Sequence, residues 1–114
     1  MSDCLFCKII KGDIPSQKIY EDDFVFGFKD LNPMAKIHHL FVHKEHTGNV
    51  NELVETSPKQ LADVYLAISK FSKESDLERE GFRVVTNVGP NAGQTVFHTH
   101  FHVLGGERLG HFGS

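Results

Sequence analysis

Two hydrophobic periods alternate along the chain. Period two recurs in five short runs, SQKIYED (16–22), FVFGFKD (24–30), HHLFVH (38–43), FRVVTN (82–87) and VFHTHFHVL (96–104), and each reads as a β-strand. The first two are separated only by the acidic turn Glu21-Asp22-Asp23 and form a hairpin. Helical spacing appears twice. CLFCKIIKG is a short N-terminal helix with a glycine stop. A longer helix starts at Ser57, with Ser57 as N-cap, Pro58 at the first position and Gln60 closing a capping box. Leu61, Val64, Tyr65, Ile68 and Phe71 are its buried stripe, and Gly81 breaks the chain after its charged end. LNPMAK and VGPNAGQ are loops. Consecutive strands on short connections, with two segregated helices, predict an α+β fold with a five-stranded antiparallel sheet.

The last strand carries the candidate chemistry. His98, His100 and His102 alternate with Thr99, Phe101 and Val103, so the three imidazoles share one face at about 7 Å intervals while Phe101 and Val103 face a core. On a flat strand His98 and His102 lie about 13 Å apart, too far for one metal ion. A single ion would need a bend; separate roles in a relay fit better. Stacked cations repel, so at least two of the rings are neutral near pH 7. The preceding NVGPNAGQT supplies Gly89 and Gly93 with Gln94 and Thr95, a loop able to present backbone N–H groups to an anion. It lacks the lysine and spacing of a P-loop. Beside it, an imidazole can act as a nucleophile toward phosphorus.

Composition narrows the class. The chain has 114 residues, eight histidines, ten phenylalanines, 39% hydrophobic residues and a formal charge of −3. That length fits one domain over residues 1–114, and the charge argues against a nucleic-acid partner. No apolar run is long enough for a membrane span and the polar start MSDC is not a signal peptide. Cys4 and Cys7 form a C-x2-C pair on one face of the first helix. Without a secretory segment they indicate a reducing, cytoplasmic location and raise metal binding.

HTHFHVL resembles the H-x-H-x-H signature of the histidine-triad nucleotide hydrolases and transferases. The similarity runs through CLFCKIIKGDIPSQKIYEDD, FKDLNPMAKIHHLFVHKEH, NVGPNAGQTVFHTHFHVLGG and the terminal His111-Phe112, segments of the Hint branch. The resemblance implies a dimeric fold of that type, with the terminus reaching the partner's site. It implies hydrolysis of a purine nucleoside 5′-phosphoramidate (an AMP or GMP derivative) to nucleotide and amine through a nucleotidyl-His100 intermediate. His102 would orient the phosphate, His98 support the row and His38 set the nucleophile's tautomer. Asn87, Gly93, Gln94 and Thr95 would contact phosphate, Asp30 would accept from the ribose hydroxyls, and Phe6, Ile10, Phe28 and Leu31 would wall the base pocket. The general acid would be His98 or His102. Members of bacterial type with this cysteine pair often hold structural zinc, here on Cys4, Cys7, His46 and His98; if so, His102 is left as the acid. No cofactor is implied for the chemistry.

The chain departs from the family pattern around His38. His39 and His43 stand where an apolar residue and a proline are common, and Lys36-Ile37 replaces a Pro-Thr pair of animal relatives. Three other readings compete: a dinucleoside polyphosphate hydrolase of the Fhit-like branch, which His102 disfavours; a non-catalytic nucleotide-binding protein, which the presence of His100 disfavours; and a zinc module resting on Cys4 and Cys7 alone.

Overall fold

A computed structural model describes residues 4–111. Its elements run α1 (Leu5–Lys11), β1 (Lys18–Glu21), β2 (Val25–Lys29), β3 (Ile37–His43), α2 (Val50–Thr56), α3 (Pro58–Glu74), α4 (Leu77–Glu80), β4 (Phe82–Val85) and β5 (His100–Gly105), with a 3-10 turn at Pro90–Ala92. All strand pairings are antiparallel, in the order β1-β2-β3-β5-β4. Among the described residues no helix is long and apolar enough to cross a membrane.

Alternation within each strand divides the sheet into two differently covered faces. Val25, Phe41, Phe101 and Val103 meet Val64, Ala67 and Ile68 of α3 and Leu77 of α4 in the larger core. Phe41 and Phe101 are direct cross-strand partners and are fully buried, so truncating either to alanine would cost about 3–5 kcal/mol. Gly27 is required opposite them, since a Cβ there would lie 3.0 Å from Ile19 and 3.3 Å from the Phe41 ring. The second face carries Phe26, Phe28, Leu40 and Val42, covered by Phe6 and Ile9 of α1. His38, His100 and His102 lie on this same face, on β3 and β5, with Phe6 of α1 against the His100 ring.

Four helices stand where two were expected. Helix α2 starts at Asn49, whose side chain accepts from the Glu52 N–H at 3.0 Å, while the Glu52 carboxylate takes the Gly48 N–H at 2.9 Å. The single turn α4 precedes the break at Gly81. The expected capping box on α3 does not form. Ser57 N–H is spent closing α2 on the Leu53 carbonyl, Ser57 makes no side-chain cap, and Gln60 turns to Glu45 instead. Tyr65, expected in the buried stripe, is half exposed, although its ring edge meets Phe101. The expected strand over 96–104 begins only at His100, a shortening that decides the site.

Candidate functional site

His100 and His102 open β5 on the face shared with β3, where Val42 pairs with His100 and Leu40 with His102. Their rings lie 5.2 Å apart. His98 precedes the strand, and its side chain is swung into the protein and completely buried. Thr99 anchors this departure, since its N–H donates to the Thr47 carbonyl at 2.8 Å and the two buried hydroxyls meet at 2.6 Å.

Hydrogen bonds assign each ring's proton. His100 Nδ1–H donates to the His98 carbonyl at 2.7 Å, so in the neutral ring Nε2 carries the lone pair. Thr86 Oγ1 donates to the His100 carbonyl at 2.8 Å, and Phe6 packs edge-on against the ring at 5.1 Å. His38 does not set this tautomer, as the family resemblance suggested. The register places it diagonally from His102, out of reach of His100. Its Nδ1 accepts the Met34 N–H at 3.0 Å, which leaves the proton on Nε2, 2.8 Å from His102 Nδ1. His102, accepting there, carries its proton on Nε2. Asp30 Oδ2 lies 3.4 Å from His38 Nε2, and Oδ1 accepts the Asn32 N–H at 2.8 Å. His39 and His43 point to the opposite face, against Phe71 and Asp63, and leave His38 undisturbed.

Burial drives the electrostatics. Loss of solvent pushes His102 down to about 4, with the neighbouring His100 and His38 adding to the effect and Asp30 opposing it. Desolvation also lowers His38 and His100, again against the pull of Asp30. The row is therefore neutral at pH 7.

A loop closes the other side. Gly89 and Gly93 take left-handed backbone, with φ of 81° and 79°, around the 3-10 turn. Gln94 holds its shape: Oε1 accepts the Gly89 N–H at 3.0 Å, and Nε2 donates to the carbonyls of Gly48 at 2.8 Å and Val96 at 3.1 Å. Both amide protons are thus consumed inside the protein. Gln94 braces the loop and has no side-chain donor left for a phosphate, contrary to expectation. Gly93 and Thr95 are exposed and Asn87 is half buried at the end of β4. Of the expected base-pocket residues, Phe6 and Phe28 meet at 5.4 Å beside His100. Leu31 is 91% exposed on its turn. Ile10 instead lines a separate groove of about 360 Å³ with Ile9, Ile14, Pro15 and Phe26.

Two side-chain groups among the described residues have metal-ligand composition, and only one fits. His98 Nε2–H donates to the His43 carbonyl at 2.9 Å, so its Nδ1 is bare. Around that lone pair stand Cys4 Sγ at 3.3 Å, Cys7 Sγ at 3.4 Å and His46 Nδ1 at 3.1 Å, with Cys7 Sγ 3.4 Å from His46 Nδ1. Tetrahedral zinc separates its ligand atoms by about 3.4 Å for N···N and about 3.6 Å for S···N. The observed edges are a few tenths of an ångström shorter, and the second nitrogen of His98 is already held by a carbonyl, as metal-binding imidazoles require. Cys7 N–H also donates to Cys4 Sγ at 3.2 Å. Burial and the Cys4 thiol push Cys7 up to about 11; a bound cation reverses this, because the thiolate is the ligand. Asp30, His38 and His102 do not fit a metal, since ligation through His38 Nε2 would put a proton on Nδ1 against the Met34 N–H.

Residues 11–109 match the HIT domain. The chain belongs to the HIT domain family. A HIT family hydrolase from Clostridium thermocellum is 44% identical, with a TM-score of 0.91 and 96% of each chain covered. A histidine triad protein from Clostridium difficile is 41% identical at a TM-score of 0.94, covering 98% of this chain and 97% of the other. Among curated relatives, the purine nucleoside phosphoramidase of Escherichia coli is 33% identical over 106 residues, 93% of this chain and 89% of that one.

Sequence reasoning missed Met34, Thr47, Thr86 and Thr99. Met34 acts through its N–H on a ring four residues on, in the turn before β3, while Thr47, Thr86 and Thr99 meet partners distant in the chain, for which the sequence carries no local signal.

Proposed function

We propose that the chain is a hydrolase of purine nucleoside 5′-phosphoramidates that works through a nucleotidyl-His100 intermediate. The observation that carries this is the 2.7 Å bond from His100 Nδ1 to the His98 carbonyl, which leaves Nε2 bare for attack on the α-phosphorus. The E. coli relative named for this activity supports the substrate class. Asn87, Gly93 and Thr95 contact the phosphate, Asp30 accepts from the ribose hydroxyls, and Phe6 and Phe28 face the base.

In the first step the Nε2 lone pair forms the N–P bond, and the P–N bond to the amine breaks with its electron pair going to nitrogen. His102, which takes a second proton from solvent as the anionic substrate binds, gives the Nε2 proton to that nitrogen. The His98 side chain is committed to the Cys4–Cys7–His46 group and does not serve as the acid, while its carbonyl holds His100 Nδ1–H. In the second step water attacks phosphorus, His102 Nε2 accepts its proton, and His100 is released. Such acid–base help is typically worth 10²- to 10⁴-fold.

Cys4, Cys7, His46 and His98 would hold zinc, which would supply a closed structural crosslink between α1 and the start of β5. The half-exposed Tyr65 and the exposed Leu66 and Phe97 offer an apolar surface for a second copy, in a homodimer operating in the cytoplasm. Phe112, expected to reach the partner's site, lies outside the described residues. The test is release of AMP and amine from adenosine 5′-phosphoramidate, followed chromatographically. Nucleotide binding without release would instead indicate a binding protein, and cleavage of a dinucleoside polyphosphate in preference to the phosphoramidate would indicate the other hydrolase class.

A further inference from the structure

The proton on His38 Nε2 has two acceptors within reach, His102 Nδ1 at 2.8 Å and Asp30 Oδ2 at 3.4 Å. It cannot leave for Nδ1, which accepts the Met34 N–H. His102 therefore faces a donor whenever it carries a proton on Nδ1 itself, as it must when loaded as an acid. Two N–H groups pointing at one another at that distance repel, so His38 needs another acceptor in that state. Asp30 is the acceptor in place. The titratable groups bearing on His102 are His100, His38 and Asp30, and of these only Asp30 is anionic.

We propose that Asp30 is a positioning residue for His102 as well as the ribose acceptor: its carboxylate takes the His38 Nε2–H during turnover and so frees His102 Nδ1 to hold a proton. This rests on the phosphoramidase reading of the site. The extra proton of the loaded state comes from solvent as substrate binds, and each turnover closes on that loaded state. At rest, His38 donates to His102. In the loaded state His38 donates to Asp30 and His102 carries both protons. Transfer of the Nε2 proton to the departing amine leaves His102 with Nδ1–H and a bare Nε2, which then takes the proton of the hydrolytic water. His38 stays on Asp30 throughout; His102 ends doubly protonated, as it began the cycle, and returns its extra proton to solvent when product leaves.

Only a carboxylate suits position 30. Oδ1 already accepts the Asn32 N–H at 2.8 Å while Oδ2 faces His38. An amide has one acceptor and one donor end, so the Asp30→Asn side chain would present an NH₂ either to the Asn32 N–H or to His38. The carboxylate is also 19% exposed, open enough for a hydroxyl to reach.

The experiment removes the ribose role from the comparison. Wild-type protein and the Asp30→Asn and Asp30→Ala variants are assayed on adenosine 5′-phosphoramidate and on its 2′,3′-dideoxy analogue, which has no hydroxyls for Asp30 to bind. Both variants should lose about tenfold or more in kcat on the dideoxy substrate, the factor that one unit in the His102 equilibrium represents. If both turn it over at the wild-type kcat, Asp30 serves only the ribose and the proposal is wrong. Histidine ¹⁵N spectra of the substrate-free proteins give a readout independent of turnover. The His102 titration midpoint should move to lower pH in both variants, and an unmoved midpoint overturns the proposal. If wild type fails on both substrates, the phosphoramidase reading falls while the spectra still decide the role of Asp30.

Discussion

The Thr47–Thr99 contact offers a sharp test of how the site is held. Both hydroxyls are buried and meet at 2.6 Å, and Thr99 Oγ1 also lies 3.2 Å from the Thr47 carbonyl. Thr99 sits between His98, turned inward, and His100, turned to the open face. Thr99→Val keeps shape and volume but strands the Thr47 hydroxyl without its partner. An unsatisfied buried polar group costs about 1–3 kcal/mol, which for a domain of this size lowers Tm by about 3–6 °C per kcal/mol. Replacing both residues by valine removes the orphan, so Thr47→Val/Thr99→Val should be closer to wild type than the sum of the single changes. The coupling should be at least about 1 kcal/mol in a double-mutant cycle. Thermal and denaturant unfolding of the four proteins measures it. Strict additivity, or a Thr99→Val cost under about 0.5 kcal/mol, would refute the view that this pair pins the turn between the two histidines.

Other expectations follow from the same geometry. Because burial holds His102 at about 4 in the folded protein against about 6.5 unfolded, its contribution is intact above about pH 6.5 and is lost as pH falls from there toward about 4. The loss is about 1.4 kcal/mol per unit and about 3 kcal/mol in all. Replacing His102 by Asn should flatten the stability–pH slope over that interval by about one proton, and an unchanged slope would contradict the burial argument. Zinc added to metal-free protein should bind with release of thiol protons and raise Tm, whereas Cys7→Ser should abolish both effects. Proton release that is the same in the variant would place the metal elsewhere. Gln94→Ala removes three internal hydrogen bonds from the loop around Gly89 and Gly93, so on the proposed reading KM for a nucleotide substrate should rise about tenfold with a smaller change in kcat. Loss confined to kcat would argue that Gln94 touches the reacting group.

How far the sequence reaches depends on the range of each interaction. Strand alternation places Phe101 and Val103 in the core and His100 and His102 on the open face correctly, because period two is a local property. His98 breaks the pattern, since its position is decided by Cys4 and Cys7 far upstream, by His46, and by the carbonyls of His43 and Thr47. The family resemblance brings Cys4, Cys7, His46 and His98 together as a candidate metal group; spacing alone does not. The partner of His38 is hidden from the sequence because one step of β3–β5 register separates His102 from His100. Gln94 reads as a phosphate donor only while Gly48, on a distant turn, is left out of account, and Gly48 takes one of its protons. Helix α2 escapes a periodicity search although Asn49-x-x-Glu52 is a capping signal, because only Val50, Leu53 and Val54 in it are apolar.

In the proposed reaction His100 Nε2 is the nucleophile. That role is tested most directly by rapid quench of the protein with adenosine 5′-phosphoramidate and mass analysis of its peptides, beside turnover of a His100→Ala variant. A mass increase of one adenylyl group on the peptide at His100 and collapse of turnover in the variant are expected. Turnover equal in the two proteins, or an adduct on another histidine, would contradict it.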